Sequence, residues 1–83
     1  MFTIPVEEFL EEVKAELYCY EEIGDDKISF WEETFMQKLK SLKTVKIKND
    51  EIILKDENDL FEIADGFYSA IINKEEEKYW QML

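Results

Sequence analysis

Residues 5–23 read PVEEFLEEVKAELYCYEEI, and this stretch decides the fold. Its apolar residues recur at intervals of three and four, which predicts an amphipathic helix with one side in a core. They are Val6, Phe9, Leu10, Val13, Leu17 and Tyr20. Pro5 suits the first turn, where a missing N–H costs no hydrogen bond. Gly24 is expected to end the helix in the left-handed conformation.

The other side of this predicted helix carries a column of glutamates. Glu8, Glu12 and Glu16 follow one another at i,i+4 spacing, and Glu11 lies beside them. Like charges at this spacing cost roughly 0.2–0.5 kcal/mol per pair, and Lys14 relieves only part of the repulsion. The column has two interpretations: an ordinary solvated face, or a row of carboxylates that imitates phosphates and binds a basic cleft.

A second helix is predicted from about Phe30 to Leu42. Ser29 and Glu32 match a capping box, although Asp25 or Asp26 offers an earlier start. Its apolar face consists of Ile28, Trp31, Phe35, Leu39 and Leu42. Residues 44–55, TVKIKNDEIILK, then alternate apolar and polar side chains around Asn49-Asp50, which predicts a β-hairpin.

The last third of the chain is predicted to be helical, because an apolar stripe recurs at helical spacing in Leu60, Ile63, Ala64, Phe67 and Ile71. A helix from about Asp59 to Ile72 is capped by Asn58 or Asp59, and Gly66 either weakens it or permits a close contact. The apolar tail is expected to dock on the core, as a continuation of this helix or as a short further one; it comprises Tyr79, Trp80, Met82 and Leu83. The sequence therefore predicts a small single α+β domain over residues 1–83, in the order ααββα.

The charge of the chain excludes several partners. The 83 residues carry 21 acids and 10 lysines, with no arginine and no histidine, for a net charge of −11. Direct binding to nucleic acid or to an anionic membrane is disfavoured, because both require a basic surface. The five lysines at positions 38, 40, 43, 46 and 48 form a basic belt. It is expected to complement a helix dipole and to protect an edge strand, and the alternative is contact with an acidic patch or RNA.

No catalytic or metal-binding arrangement is predicted. Without histidine, neither a Ser-His-Asp triad nor a Cys-His pair can form. Cys19 stands alone, so it is expected to pack rather than to act as a nucleophile. The acidic run at residues 56–59 fails as a calcium loop because Phe61 occupies the position that needs glycine. We therefore expect a non-enzymatic protein with no cofactor and no metal.

Two known families resemble the chain in part. Its size, helix content and acidity resemble acyl carrier proteins, but none of Ser29, Ser41 and Ser69 stands in the Asp-Ser-Leu context that carries their prosthetic group. The helix–hairpin–helix order resembles winged-helix domains, although the acidic charge argues against their DNA binding. Neither resemblance identifies the chain.

These patterns favour a small acidic inhibitor that binds a basic, nucleic-acid-handling protein and blocks its DNA or RNA site. Phage anti-defence factors, such as anti-CRISPR or anti-restriction proteins, and nuclease immunity proteins are of this type. The candidate partner-binding residues are Glu8, Glu11, Glu12, Glu16, Tyr18, Glu21, Glu22, Asp25 and Asp26. The alternative is a structural or regulatory interaction module, homodimeric through the C-terminal aromatic tail. With no signal peptide or membrane span evident, a cytoplasmic location is expected.

Overall fold

A computed structural model of residues 1–83 shows four helices and three strands, which confirms the predicted α+β class. The elements are β1 (Phe2–Pro5), α1 (Val6–Leu17), α2 (Asp25–Lys38), β2 (Lys46–Lys48), β3 (Glu51–Leu54), α3 (Asp59–Asn73) and α4 (Glu76–Met82). The order is thus βααββαα. The chain after the hairpin forms two helices, which is one of the two predicted alternatives.

The first strand, β1, was not predicted. It pairs antiparallel with β3, with Phe2 opposite Leu54 and Ile4 opposite Ile52, and the sheet order is β1-β3-β2. The partner lies about fifty residues along the chain, so no local pattern in the four residues indicates the pairing. A hairpin alone is only marginally stable, and pairing with β1 makes β3 the central strand of a three-stranded sheet.

The predicted hairpin turn is confirmed. Asn49 and Asp50 have φ angles of 54° and 61°, and two successive left-handed residues are typical of the turn that suits twisted strands. The carbonyl oxygen of Asp50 accepts a hydrogen bond from the N–H of Val6, at 3.0 Å. The turn therefore also satisfies a free donor at the start of α1.

The predicted end of the first helix at Gly24 was wrong, whereas the earlier of the alternative starts of the second helix is confirmed. α1 ends at Leu17, because Tyr20 folds back to stack on Tyr68, with ring centroids 4.1 Å apart. Gly24 is extended (φ −83°, ψ 168°) and precedes α2 rather than ending α1. α2 begins at the earlier of its alternative starts, Asp25, where acids favour the positive end of the helix dipole. The capping box at Ser29 therefore does not form, and α2 ends at Lys38, before Leu42.

The N-cap residue of α3 is Asn58, one of the two predicted, but the side-chain hydrogen bonds at this helix start are accepted by Asp56 and Asp59. Asp56 accepts a hydrogen bond from the N–H of Asn58 at 3.0 Å, and Asp59 accepts one from the N–H of Asp56 at 3.3 Å. The bond to Asp59 corresponds to one half of a capping box, and the bond to Asp56 is the local turn that an aspartate forms with the N–H two residues further on. Asn58 itself makes no capping bond through its side chain.

One apolar core holds the elements together. Its 19 buried residues form a single cluster that contains no charged side chain. At its centre, the ring of Phe35 lies 5.1 Å from the rings of both Phe9 and Trp31, between centroids. The predicted stripe of α1 is confirmed: its middle residues are buried, while Val6 and Tyr20 are half-buried. The opposite side of α1, with its glutamates, therefore faces solvent.

Tyr79 fixes the C-terminal helix on this core. Its hydroxyl donates a hydrogen bond to the carbonyl oxygen of Ile63 at 2.9 Å and accepts one from Trp31 Nε1 at 3.1 Å. A Cβ atom at Gly66 would lie 3.1 Å from Tyr79 Cε1, so this glycine permits the predicted close contact. Burial raises the pKa of the Tyr79 hydroxyl well above its ordinary value, although the Trp31 hydrogen bond lowers it. The predicted docking of the tail is thus confirmed for Tyr79 and Leu83, which are buried.

The first prediction concerns Tyr79→Phe. Loss of the hydroxyl leaves Trp31 Nε1 without an acceptor in the core, so we expect the free energy of unfolding to fall by about 1–3 kcal/mol in urea titrations at neutral pH. Tyr18→Phe is the matched control, because the Tyr18 side chain is 60% exposed, and its effect is expected within about 0.5 kcal/mol.

The same pair also gives a pH test. Because the folded state keeps the Tyr79 proton while an unfolded tyrosine ionises near pH 10, this residue lowers stability as pH rises above about 10, by up to about 1.4 kcal/mol per unit. The Tyr79→Phe variant has no hydroxyl to ionise at this position, so its stability does not fall for this reason. The difference in stability between the variant and the wild type should therefore narrow above that pH. A constant difference would contradict the burial of the hydroxyl.

The second prediction concerns the hairpin turn. Asp50→Gly removes the steric cost of a left-handed residue, so we expect the free energy of unfolding to rise by up to about 1 kcal/mol. Asp50→Val, which places a β-branched side chain at the same positive φ, is expected to lower it. Chemical denaturation measures both, and a stable valine variant would contradict the turn geometry.

Candidate protein-binding surface

The glutamate column, defined as Glu8, Glu11, Glu12 and Glu16, lies entirely on α1. Three of its members are exposed and Glu16 is half-buried, because it lies closest to the core side of the helix. Only two ion pairs form in the whole molecule, and no column carboxylate takes part in either or in a hydrogen bond within the chain. These four carboxylates are thus free to meet an external partner.

The column is held on a well-anchored helix. Phe9, Val13 and Leu17 on the opposite side of α1 are almost fully buried, which fixes the rotation of the helix. From Glu8 to Glu16 the axis rises roughly 12 Å, so the four carboxylates give about one charge every 3–4 Å. One strand of B-DNA carries a charge about every 3.4 Å. The linear charge density of the column is therefore similar to that of a phosphate backbone.

The only cation of α1, Lys14, forms an ion pair with a residue of another helix. Lys14 Nζ lies 2.9 Å from Glu32 Oε2 on α2, at a partly exposed position. The hydrogen bond to Glu32 raises the pKa of Lys14, while desolvation lowers it and the charge of Glu11 raises it further. Since Lys14 is turned to α2, it leaves most of the column without a neutralising partner.

The remaining predicted residues continue the acidic surface beyond the end of α1. Tyr18 follows the last residue of the helix and is 60% exposed, as a contact residue must be. Glu21 and Glu22 are exposed in the turn between α1 and α2. Asp25 and Asp26 are exposed in the first turn of α2, where they also stabilise the helix dipole. The nine candidate residues thus lie on α1, in the turn that follows it, or in the first turn of α2.

An aromatic pair beside this surface was missed by the sequence analysis. Tyr20 stacks on Tyr68 of α3, and its hydroxyl donates a hydrogen bond to Asp65. Desolvation by partial burial is the main cause that raises the pKa of the Tyr68 hydroxyl, and the nearby charge of Glu22 raises it further. Asp65 and Tyr68 fall outside the predicted apolar stripe of α3. This position, on a polar side of the helix, was the only sequence signal that could have indicated the contact with Tyr20. The stack adds a flat amphipathic surface of the kind that protein interfaces favour.

The basic belt occupies a different part of the surface. All five lysines are exposed; Lys38 ends α2, and Lys46 and Lys48 lie on the short edge strand β2. Lys48 stands directly opposite Glu51 across the sheet, and Lys46 stands opposite Ile53. Opposite charges at such positions stabilise a sheet, and lysines on an edge discourage further pairing. This arrangement agrees with the structural explanation predicted for the belt.

Other features bear on the surface only indirectly. Cys19 is exposed, so the prediction that it packs in the interior was wrong; its thiol donates a weak hydrogen bond to the carbonyl of Ala15, at 3.5 Å. No three Cys, Asp or Glu side chains are arranged to hold a metal ion. None of the four helices combines the length and apolar character needed to cross a bilayer.

Comparison of the chain with protein-family models, with curated proteins and with solved structures finds no significant match. The resemblance to winged-helix domains therefore stays at the level of element order.

The third prediction tests whether the column is under repulsion. Glu12→Gln removes the like-charge pairs with Glu8 and Glu16 and keeps a good helix former, so we expect a gain of roughly 0.4–1 kcal/mol in unfolding free energy at low salt. The gain should shrink as salt screens the charges. Urea titrations at two ionic strengths measure both effects.

Glu57→Gln is the control for that experiment, because Glu57 is exposed and lies in the turn before α3, outside any helix. It is expected to change stability by less than about 0.5 kcal/mol. Equal effects of the two substitutions would mean that the column carries no particular repulsion.

Proposed function

We propose that this protein is a small acidic inhibitor that binds a basic, nucleic-acid-handling protein and occupies its DNA or RNA site. The observation that carries the proposal is the glutamate column: four carboxylates on one anchored helix, unpaired within the chain, at a charge spacing similar to that of a phosphate strand. A cleft that binds nucleic acid is lined with lysine and arginine, which is the electrostatic complement of such a column.

The physical logic of retaining such a column supports a binding role. The like-charge pairs along α1 oppose folding by an amount on the order of 1 kcal/mol, which is a sizeable part of the stability of a small domain. A basic partner attracts these carboxylates and neutralises their charge, so binding relieves the repulsion among them. Long-range attraction between a protein of net charge −11 and a basic cleft also accelerates association.

Charge alone gives steering more than affinity, so the interface also needs an apolar anchor. Tyr18 is the best placed, because it is 60% exposed and follows the last residue of the helix that carries the column. Glu21, Glu22, Asp25 and Asp26 then extend the acidic contact past this anchor. By analogy of charge and size, phage anti-defence proteins and nuclease immunity proteins are of this type, and the proposal places this chain in the cytoplasm.

The alternative, an interaction module that dimerises through the C-terminal tail, has weaker support. Tyr79 and Leu83 are buried parts of the core, and Trp80 is half-buried. Of the four tail residues, only Met82 is strongly exposed, at 67%. One exposed methionine does not provide the apolar patch that a stable homodimer needs.

The fourth prediction compares three forms of tagged protein in affinity capture from bacterial lysate at low salt: the wild type, Glu8→Lys/Glu12→Lys, and the control Glu57→Lys/Glu77→Lys. All four positions are exposed, and both variants change the net charge equally. We expect a nucleic-acid-binding protein to be captured by the wild type and the control but lost, by at least about tenfold, from the column variant.

The captured protein is then tested with its own nucleic acid. Labelled DNA or RNA should be displaced from it by the wild type, with an apparent affinity that falls steeply as salt rises. If the column variant captures the same proteins as the wild type, or if the nucleic acid remains bound, the proposal is wrong.

A further inference from the structure

A groove of about 540 Å³ opens on the side of the molecule formed by α3, α4 and the hairpin. Its floor is apolar and comes from the edge of the core: Val45, Leu54, Ile63, Ala70, Tyr79 and Leu83. Neither α1 nor α2 contributes a lining residue. The groove is therefore a surface separate from the glutamate column, and the inference does not rest on the proposed function.

The rim of this groove is acidic. Asp59, Glu62 and Glu75 line it against a single cation, Lys78. Asp59 is engaged in the cap of α3, whereas the side chains of Glu62 and Glu75 make no ion pair or hydrogen bond within the chain. Met82 forms part of the wall and is 67% exposed, and a flexible thioether adapts well to a bound apolar side chain.

We propose that the groove is a docking site for a cationic amphipathic segment of a partner protein. Apolar side chains of the segment pack on the floor around Ala70 and Tyr79, and its lysines or arginines pair with Glu62 and Glu75 on the rim. The charge of the rim selects against acidic segments, and the floor selects against purely polar ones. This is the logic of an amphipathic helix in a groove.

Two other occupants fit the groove less well. Small ligands are usually buried over 70–90% of their surface, which an open groove lacks, whereas a protein segment needs to bury only one face. A second copy of this chain carries a net charge of −11 and meets an acidic rim, so repulsion opposes its docking.

The fifth prediction uses two labelled peptides in fluorescence anisotropy. One is a helical peptide with leucines on one face and lysines on the other, and the second has serine in place of every leucine. The wild type should bind the leucine peptide at least about tenfold more tightly than the serine peptide. Ser69→Trp, which fills the groove from an exposed position, should abolish this preference.

Glu62→Lys/Glu75→Lys is the second test variant and should weaken binding of the leucine peptide at least about tenfold at low salt. Its matched control, Glu57→Lys/Glu77→Lys, has the same net charge and lies outside both the groove and the column, so it should keep the preference for leucine. Circular dichroism checks that each variant is folded. The groove variant keeps the glutamate column intact, and the capture experiment tests the column by itself, so a failure of either proposal leaves the other measurable.

Three results would overturn the proposal. They are binding of the serine peptide as tight as that of the leucine peptide, a leucine preference that persists in Ser69→Trp, and an unchanged affinity in Glu62→Lys/Glu75→Lys. Sedimentation that shows a dimer in the wild type and a monomer in Ser69→Trp would assign the groove to a second copy instead.

Discussion

The pairing of β1 with β3 is the constraint on which the rest of the structure depends. It makes β3 the central strand, and α1 begins at the residue that follows β1, with no connecting loop. The hydrogen bond from the N–H of Val6 to the carbonyl of Asp50 ties the start of that helix to the hairpin turn. The sheet therefore sets where α1 starts, and the apolar stripe of α1 sets its rotation. Together they determine where the glutamates point.

The helices are connected through the core by few polar contacts. The Tyr79 hydroxyl joins Trp31 of α2 to the backbone of α3, and it does so where no charged side chain is buried. Two ion pairs, Lys14 with Glu32 and Lys27 with Glu76, join α2 to α1 and to α4 at the surface. Exposed pairs of this kind contribute little stability. The burial of apolar side chains therefore has to offset the repulsion among the 21 acids.

The excess of acid is distributed over two surfaces of different character. On α1 the carboxylates stand on a convex helix, with Tyr18 and the Tyr20–Tyr68 stack beside them, which suits a charged cleft. At the groove the carboxylates flank an apolar floor, which suits an amphipathic segment. A convex and a concave surface recruit different partners even when both are acidic, because shape decides which apolar contacts follow the electrostatic attraction.

The sequence by itself determined the elements whose signals are local. The apolar stripes of α1 and α3 and the turn at Asn49-Asp50 follow from spacing and backbone preference, and the glutamate column follows from the stripe because it lies opposite. Tertiary structure decided the features that join distant residues. β1 needs its partner β3, α1 ends early because Tyr20 packs on Tyr68, and the groove exists only where α4 docks on α3 through Tyr79. Periodicity reports which side of an element is apolar, but the choice among distant partners depends on packing that no short stretch encodes.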